Sequence, residues 1–161
     1  MLRSTATFSP CRTYRYSLTR VWDADLPRVA FIGLNPSTAD ETADDPTIRR
    51  CIGFARRWGF GSMVVVNCFA LRSTYPKGLR RSSDPVGPGN DRAIIRVVRS
   101  VDRVVAAWGA HGGYLDRDTR VLAMLPDDAM CLGVTLDGSP RHPLYLPSET
   151  RARPLSALIS S

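Results

Sequence analysis

The sequence predicts a three-layer α/β/α domain: a mostly parallel, four-stranded central sheet, helices on both faces, and one additional N-terminal strand. Two observations predict it. Short apolar runs at residues 28–33, 62–67, 103–107 and 129–133 have the length and hydrophobicity of strands buried on both faces. Between them lie stretches with apolar residues at helical spacing, and strand–helix alternation of this kind closes into a parallel sheet. A chain of 161 residues accommodates one such domain, with a core over about 12–146 and a weakly structured tail over 147–161.

Residues 14–21 alternate as the N-terminal strand, with Tyr14, Tyr16 and Leu18 on one face and Arg15 and Ser17 on the other. After a turn at 23–27, the run Val29, Ala30, Phe31, Ile32 makes the next strand, expected to be central and to pair with the first. The loop at 34–45 is rich in Asn, Pro, Ser, Thr and Asp and ends at Asp45-Pro46. That pair starts a helix, with Asp at the N-cap and Pro in the first turn. The helix runs to about Trp58, burying Ile48, Cys51, Ile52, Ala55 and Trp58, and Gly59 and Gly61 end it. Met63 to Val66 form another buried strand. The connection over 68–90, interrupted by Pro76, Pro85 and Pro88, is assigned no regular structure. A helix from Asn90 or Asp91 to about Asp102 buries Ile94, Val97, Val98 and Val101. It sets Arg92, Arg96, Arg99 and Arg103 on another, solvated face. The strand at 103–107, Trp108-Gly109, a helix over 115–125 and the short strand at 129–133 complete the order.

Composition narrows the function classes. With 43% apolar and 23% charged residues the chain is globular rather than disordered. No run approaches the roughly 20 apolar residues of a membrane span, and residues 1–12 lack the apolar core of a secretory signal. The expected location is the cytoplasm. Cys11, Cys51, Cys68 and Cys131 form no Cys-x-x-Cys pair and are read as reduced thiols. The net charge of +7 is carried almost wholly by arginine, Lys77 being the single lysine. Such an excess suits a nucleic acid or nucleotide partner; protein partners are not legible. There is no Walker loop, no Gly-x-Gly-x-x-Gly and no Gly-x-Ser-x-Gly elbow. His111 and His142 are the only histidines and lack metal-ligand spacing. These absences argue against a kinase, an α/β-hydrolase and a zinc hydrolase.

In α/β sheets ligands bind beyond the carboxyl ends of the strands. Asn35, Asn67 and Trp108 each follow a strand, and His142 stands in a late loop. In Gly33-Leu34-Asn35-Pro36-Ser37 the glycine allows close approach of a ligand and the proline stiffens the turn. Asn35 is then a fixed amide able to donate and accept. Asp40 and Asp44, within an acidic cluster that includes Glu41 and Asp45, are candidates for a general base, or for holding Mg2+ together with substrate phosphates. Asp45 itself is read as the helix cap, and no metal site or other cofactor is assigned. Flanking prolines aim His142, whose neutral imidazole can donate to developing negative charge, and the neighbouring Arg141 can bind phosphate.

Together, residues 31–40 (Phe-Ile-Gly-Leu-Asn-Pro-Ser-Thr-Ala-Asp), Asp45-Pro-Thr-Ile-Arg-Arg50, Val66-Asn-Cys-Phe-Ala70, Asp84-Pro-Val-Gly-Pro-Gly-Asn-Asp91, Ala107-Trp-Gly109 and Pro140-Arg-His-Pro-Leu144 resemble the uncharacterised bacterial family called domain of unknown function 1643. More distantly, the motif order resembles the uracil-DNA glycosylase superfamily. Gly33-Leu34-Asn35-Pro36 resembles its first motif, Val66-Asn67 its mid-chain asparagine segment, and His142-Pro143 its late loop, which here continues Leu-Tyr instead of Ser. The resemblance implies a hydrolase that cleaves an N-glycosidic bond in nucleic acid. Asn35 would position the attacking water, His142 would stabilise the departing base, Asn67 would read its edge and Phe69 would stack on it. Alternatives from the residues are an enzyme acting on free nucleotides or nucleosides with Mg2+, or a non-catalytic module that binds a nucleotide or modified base.

Overall fold

The computed structural model describes residues 1–156. Its strands are β1 (Arg3–Phe8), β2 (Arg15–Val21), β3 (Arg28–Gly33), β4 (Ser62–Asn67), β5 (Arg103–Ala106), β6 (Met130–Cys131) and β7 (Arg153–Pro154). Its helices are α1 (Pro46–Arg57), α2 (Lys77–Arg81), α3 (Asn90–Val98) and α4 (Arg117–Leu122). The fold is α/β, with one mixed sheet of seven strands in the order β1-β2-β4-β3-β5-β6-β7. β3 lies at the centre, parallel to β4 on one side and to β5 on the other, and β5 runs parallel to β6. β1, β2 and β7 pair antiparallel at the flanks.

The apolar runs are buried on both faces because each strand feeds two cores. Val29 and Phe31 join Met63, Val65 and Val105 beneath Ile48, Cys51 and Phe54 of α1. Ala30 and Ile32 join Val66, Val104 and Ala106 on the opposite face, against Ile94 of α3 and Val121 of α4. The chain travels from β3 to β4 through α1, then back across β3 to β5 through α3. Right-handed connections change faces when the direction of travel reverses, which puts the two helices on opposite sides. Loops leaving the carboxyl ends of β3 and β5 therefore diverge and open a crevice between them.

Several expectations are corrected. β2 pairs with β1 and β4, not with β3. Burial along β2 does not follow the expected apolar face: Arg15 and Arg20 are buried as Leu18 is, whereas Tyr14 and Tyr16 are only half-buried. β1 adds a strand beyond the expected set; its six residues carry no apolar run and alternate between exposed and half-buried at the sheet edge. The 68–90 connection contains α2, anchored by buried Leu79. α3 ends at Val98 rather than near Asp102. The helix expected from Leu115 begins only at Arg117, since Leu115 and Asp116 adopt left-handed φ of 57° and 52°. The expected strand at 129–133 is reduced to β6. In the expected tail, β7 pairs with β6 and Leu155 is buried; residues 157–161 lie outside the described residues.

Candidate functional site

The crevice is built from three strand ends and one late loop. Gly33 and Asn67, the last residues of β3 and β4, are paired in register, and the ladder continues beyond them through Cys68 N–H to the Gly33 carbonyl (2.9 Å) and Phe69 N–H to the Leu34 carbonyl (2.9 Å). A Cβ on Gly33 would stand 2.6 Å from Asn67 Oδ1, so glycine here makes room for that amide. Beyond β5, Gly109 N–H donates to the Pro140 carbonyl (2.8 Å), and Arg141 N–H donates to the Gly133 carbonyl (2.9 Å). These bonds fold the 133–143 segment back over the sheet and bring His142 to the strand ends.

Two connected hollows result. A small inner pocket of about 40 Å³ is lined by residues including Arg15, Gly33, Asn35, Asp45, Asn67, Ala107, His142 and Pro143. Above it, an outer cleft of about 510 Å³ is shared by Leu34, Asn35, Ser37, Asp45, Thr47, Trp108, His142 and Tyr145, among others. That volume lies within the range of small-molecule sites.

The polar groups have defined orientations. Asn35 Nδ2 donates to the Pro36 carbonyl (3.1 Å) and to the Ser73 carbonyl (2.8 Å). Both N–H bonds of the amide are therefore used, and Asn35 has only its Oδ1 to offer, as an acceptor. Asn67 is 3% exposed and its Nδ2 has no partner among the described residues, an uncommon condition for a buried donor. His142 Nδ1 accepts the Leu144 N–H (3.2 Å), which assigns the neutral ring's proton to Nε2. Burial pulls the His142 pKa below its ordinary value, and the Asp45 carboxylate opposes that fall. The ring is accordingly a neutral donor at neutral pH.

Residues that the sequence did not assign to the site, and Asp45, read there as the helix cap, complete it. Arg15 is 2% exposed; its NH1 donates to the Ala39 carbonyl (3.1 Å) and its Nε has no partner among the described residues. Burial brings its pKa down to about 10, against the pull of Asp45, so it stays charged at neutral pH. Asp45 caps α1 through Oδ1, which accepts the Ile48 N–H (2.9 Å), as expected, but it is also buried in the lining of both hollows. Tyr145 stands almost fully exposed at the cleft with φ of 69°. Asn90 donates to the carbonyls of Asn67 (3.0 Å) and Cys68 (3.1 Å), and Arg117 Nε to that of Cys68 (2.7 Å), fixing the end of β4 from below. The sequence signal for Asn90 is a polar residue opening an amphipathic helix; for Arg15 there is none beyond its place in a strand.

Other expected site residues lie elsewhere. Leu34, Pro36, Ser37 and Trp108 do reach the hollows, and Trp108 is buried with its Nε1 unpartnered among the described residues. Phe69 is fully buried in the opposite core against Tyr114, with ring centroids 5.9 Å apart, and lines neither hollow. Arg141 is exposed and lies over Gly133 instead of the cleft. Asp40 Oδ1 accepts the Thr42 and Ala43 N–H groups, which hold its pKa below the ordinary value. Asp44 pairs with buried Arg20 at 2.9 Å, and the Asp40 carbonyl accepts from the same guanidinium. The acidic loop thus supplies the counter-charge of Arg20 and, through Glu41, of Arg12. Among the described residues no group of three or more His, Cys, Asp or Glu side chains is placed to share a metal ion, and no helix is long and apolar enough to cross a membrane.

The motif stretches that bring Asn35, Asn67 and His142 together all lie within the part of the chain that comparison with protein families recognises. No curated protein and no solved structure matches the chain. Residues 15–144 match the family described as protein of unknown function (DUF1643), and the protein belongs to that family.

Proposed function

We propose that the protein is a base-processing hydrolase of the uracil-DNA glycosylase type, cleaving an N-glycosidic bond in the crevice between β3 and β5. On this reading the parallel strands β4, β3, β5 and β6, with helices on both faces, are a three-layer core of the kind that superfamily has. One observation carries the reading: an acceptor-only amide (Asn35), an unpartnered buried donor (Asn67) and a neutral imidazole donor (His142) line one pocket.

The chemistry follows from those polarities. Breaking the bond from sugar to base leaves an electron-poor anomeric carbon and sends the bonding pair to the base. Asn35 Oδ1 holds a water through one of its O–H bonds, with the oxygen lone pair free to attack that carbon. Asn35 cannot remove the proton; it positions the water, and the proton leaves to solvent after attack. His142 Nε2–H donates to the oxygen on which the base's charge collects. A neutral donor suits this step because it stabilises the developing charge without having to be deprotonated. Asn67 Nδ2 donates to a carbonyl on the base edge, and Tyr145 supplies the stacking face that Phe69 cannot.

A second reading, hydrolysis of free nucleosides or nucleotides, is favoured by the lining of the outer cleft, which contains no arginine to grip a phosphate backbone. One assay separates the readings. Single- and double-stranded oligonucleotides carrying uracil, mismatched or modified bases, and free nucleosides and nucleotides, are incubated with the protein with and without Mg2+, and released base is measured. Release from oligonucleotides alone supports the first reading, and release from free nucleosides or nucleotides the second. Binding without release assigns a recognition module.

A further inference from the structure

Beneath the cleft lies the inner pocket, where the hydrolase reading uses Asn67 but gives Arg15 no role. Its two unpartnered side-chain donors, Arg15 Nε and Asn67 Nδ2, are both more than nine-tenths buried. Arg15 forms no ion pair among the described residues, although buried guanidinium groups are ordinarily paired. Leaving a buried donor unmet is costly, and a charged one more so. The pocket is therefore complete only when an acceptor enters it.

Size and charge narrow the acceptor. A water-sized position takes about 10–15 Å³ of such space, so the pocket of about 40 Å³ offers room for a group of three heavy atoms. The N-terminus of the twelve-residue helix α1 borders it through Thr47, adding about half a positive charge to the full charge of Arg15. Opposing them is Asp45, whose Oδ1 and Oδ2 already accept the N–H groups of Ile48 (2.9 Å) and Ala39 (3.3 Å). The sum is about half a unit positive, and the buried unpartnered atoms of Arg15 and Asn67 among the described residues are donors.

We infer that the inner pocket is a carboxylate subsite, in which Arg15 Nε and Asn67 Nδ2 donate to the two oxygens of an acid group carried by the bound ligand. The carboxylate is planar, has three heavy atoms and accepts through both oxygens, so one N–H of Arg15 and one of Asn67 can each take an oxygen. The ligand's remaining body then lies in the outer cleft. Asn67 here meets an acid oxygen in place of the base carbonyl of the hydrolase reading, and the assignment does not depend on cleavage of a glycosidic bond, because its readout is binding.

The test uses the full chain and formate as the probe, with acetate, formamide, inorganic phosphate and chloride for comparison at constant ionic strength. The Arg15 Nε–H resonance, assigned by its loss in Arg15→Lys, reports the hydrogen bond directly, and thermal unfolding reports linkage. Formate is expected to move that resonance downfield and raise Tm, acetate to do so more weakly, and formamide and chloride to do neither. Arg15→Lys and Asn67→Asp should each weaken formate binding at least tenfold. Should Arg15→Lys fail to fold, the dependence of Tm on formate in the parent protein and in Asn67→Asp still decides: no rise in the parent, or an equal rise in both, overturns the inference. An unmoved resonance at saturating formate overturns the inference. Equal binding of formamide overturns the charge assignment, and tighter binding of phosphate overturns the assignment to a three-atom group.

Discussion

Gly33→Ala probes the most crowded contact of the site. The added Cβ would meet Asn67 Oδ1 at 2.6 Å, roughly 0.7 to 1 Å inside a relaxed carbon–oxygen contact. Asn67 is 3% exposed and cannot simply swing into solvent. Overpacking of this kind costs about 1–3 kcal/mol. The lower entropy of alanine in the unfolded chain offsets about 0.5–1 kcal/mol. The expected net loss is about 0–2.5 kcal/mol, or up to about 10 °C in Tm for a domain of this size. The decisive form is a double-mutant cycle read by urea unfolding. In the Asn67→Ala background the obstructing oxygen is gone, so Gly33→Ala becomes neutral or slightly stabilising, a coupling of about 1–3 kcal/mol. An equal cost in both backgrounds refutes the reasoning, since the clash would then not involve the Asn67 amide.

Other perturbations test the remaining parts. Burial lowers the His142 pKa, so the neutral ring is favoured in the fold. Its contribution to stability is full above the unfolded value near 6.5 and is lost as pH falls toward the lower folded value. Urea midpoints measured across that window should fall for the parent and stay flatter for His142→Gln. Asp45→Ala removes the α1 cap and should cost about 0.5–2 kcal/mol in chemical unfolding, with Asp45→Asn costing less. Hydrogen bonding with Thr13 and Ser9 brings the exposed Cys11 thiol down to about 7, whereas burial pushes Cys51 and Cys68 up. Iodoacetamide at neutral pH should therefore modify Cys11 first in the native protein, read by peptide mass mapping. Tyr145→Ala should leave Tm nearly unchanged, because the ring is exposed, yet weaken binding of an aromatic ligand by about 0.5–1.5 kcal/mol in a titration.

Much of the fold is legible in the sequence because its signals are local. The apolar runs of β3, β4 and β5 and the Asp45-Pro46 start of α1 declare themselves within a few residues. The site's backbone is legible for the same reason: Gly33, Asn35, Asn67 and His142 sit where a strand ends or a proline-bounded loop turns. What escapes is set by tertiary context. Arg15 reads as an outward strand residue, yet the loop carrying Ala39 folds over it and accepts its hydrogen bond. Phe69 follows a strand end but is drawn into the core by Tyr114. Asp40 and Asp44 look like a free acidic cluster until Arg20, 24 residues from Asp44, is seen beneath them. β1 carries no apolar run, because an edge strand of this sheet buries little of either face. The pairing of β2 with β4 instead of β3 depends on which strand edge remains open, which no local pattern records.

The central claim is that Asn35 and His142 act on one bond in one crevice. Its most direct test is base release by the folded parent protein beside the Asn35→Ala, His142→Ala double variant, on the oligonucleotide and nucleoside panel. The account predicts release by the parent and none by the variant, with both proteins melting as folded domains. Undiminished release by the variant, or none from any substrate by the parent, would contradict it.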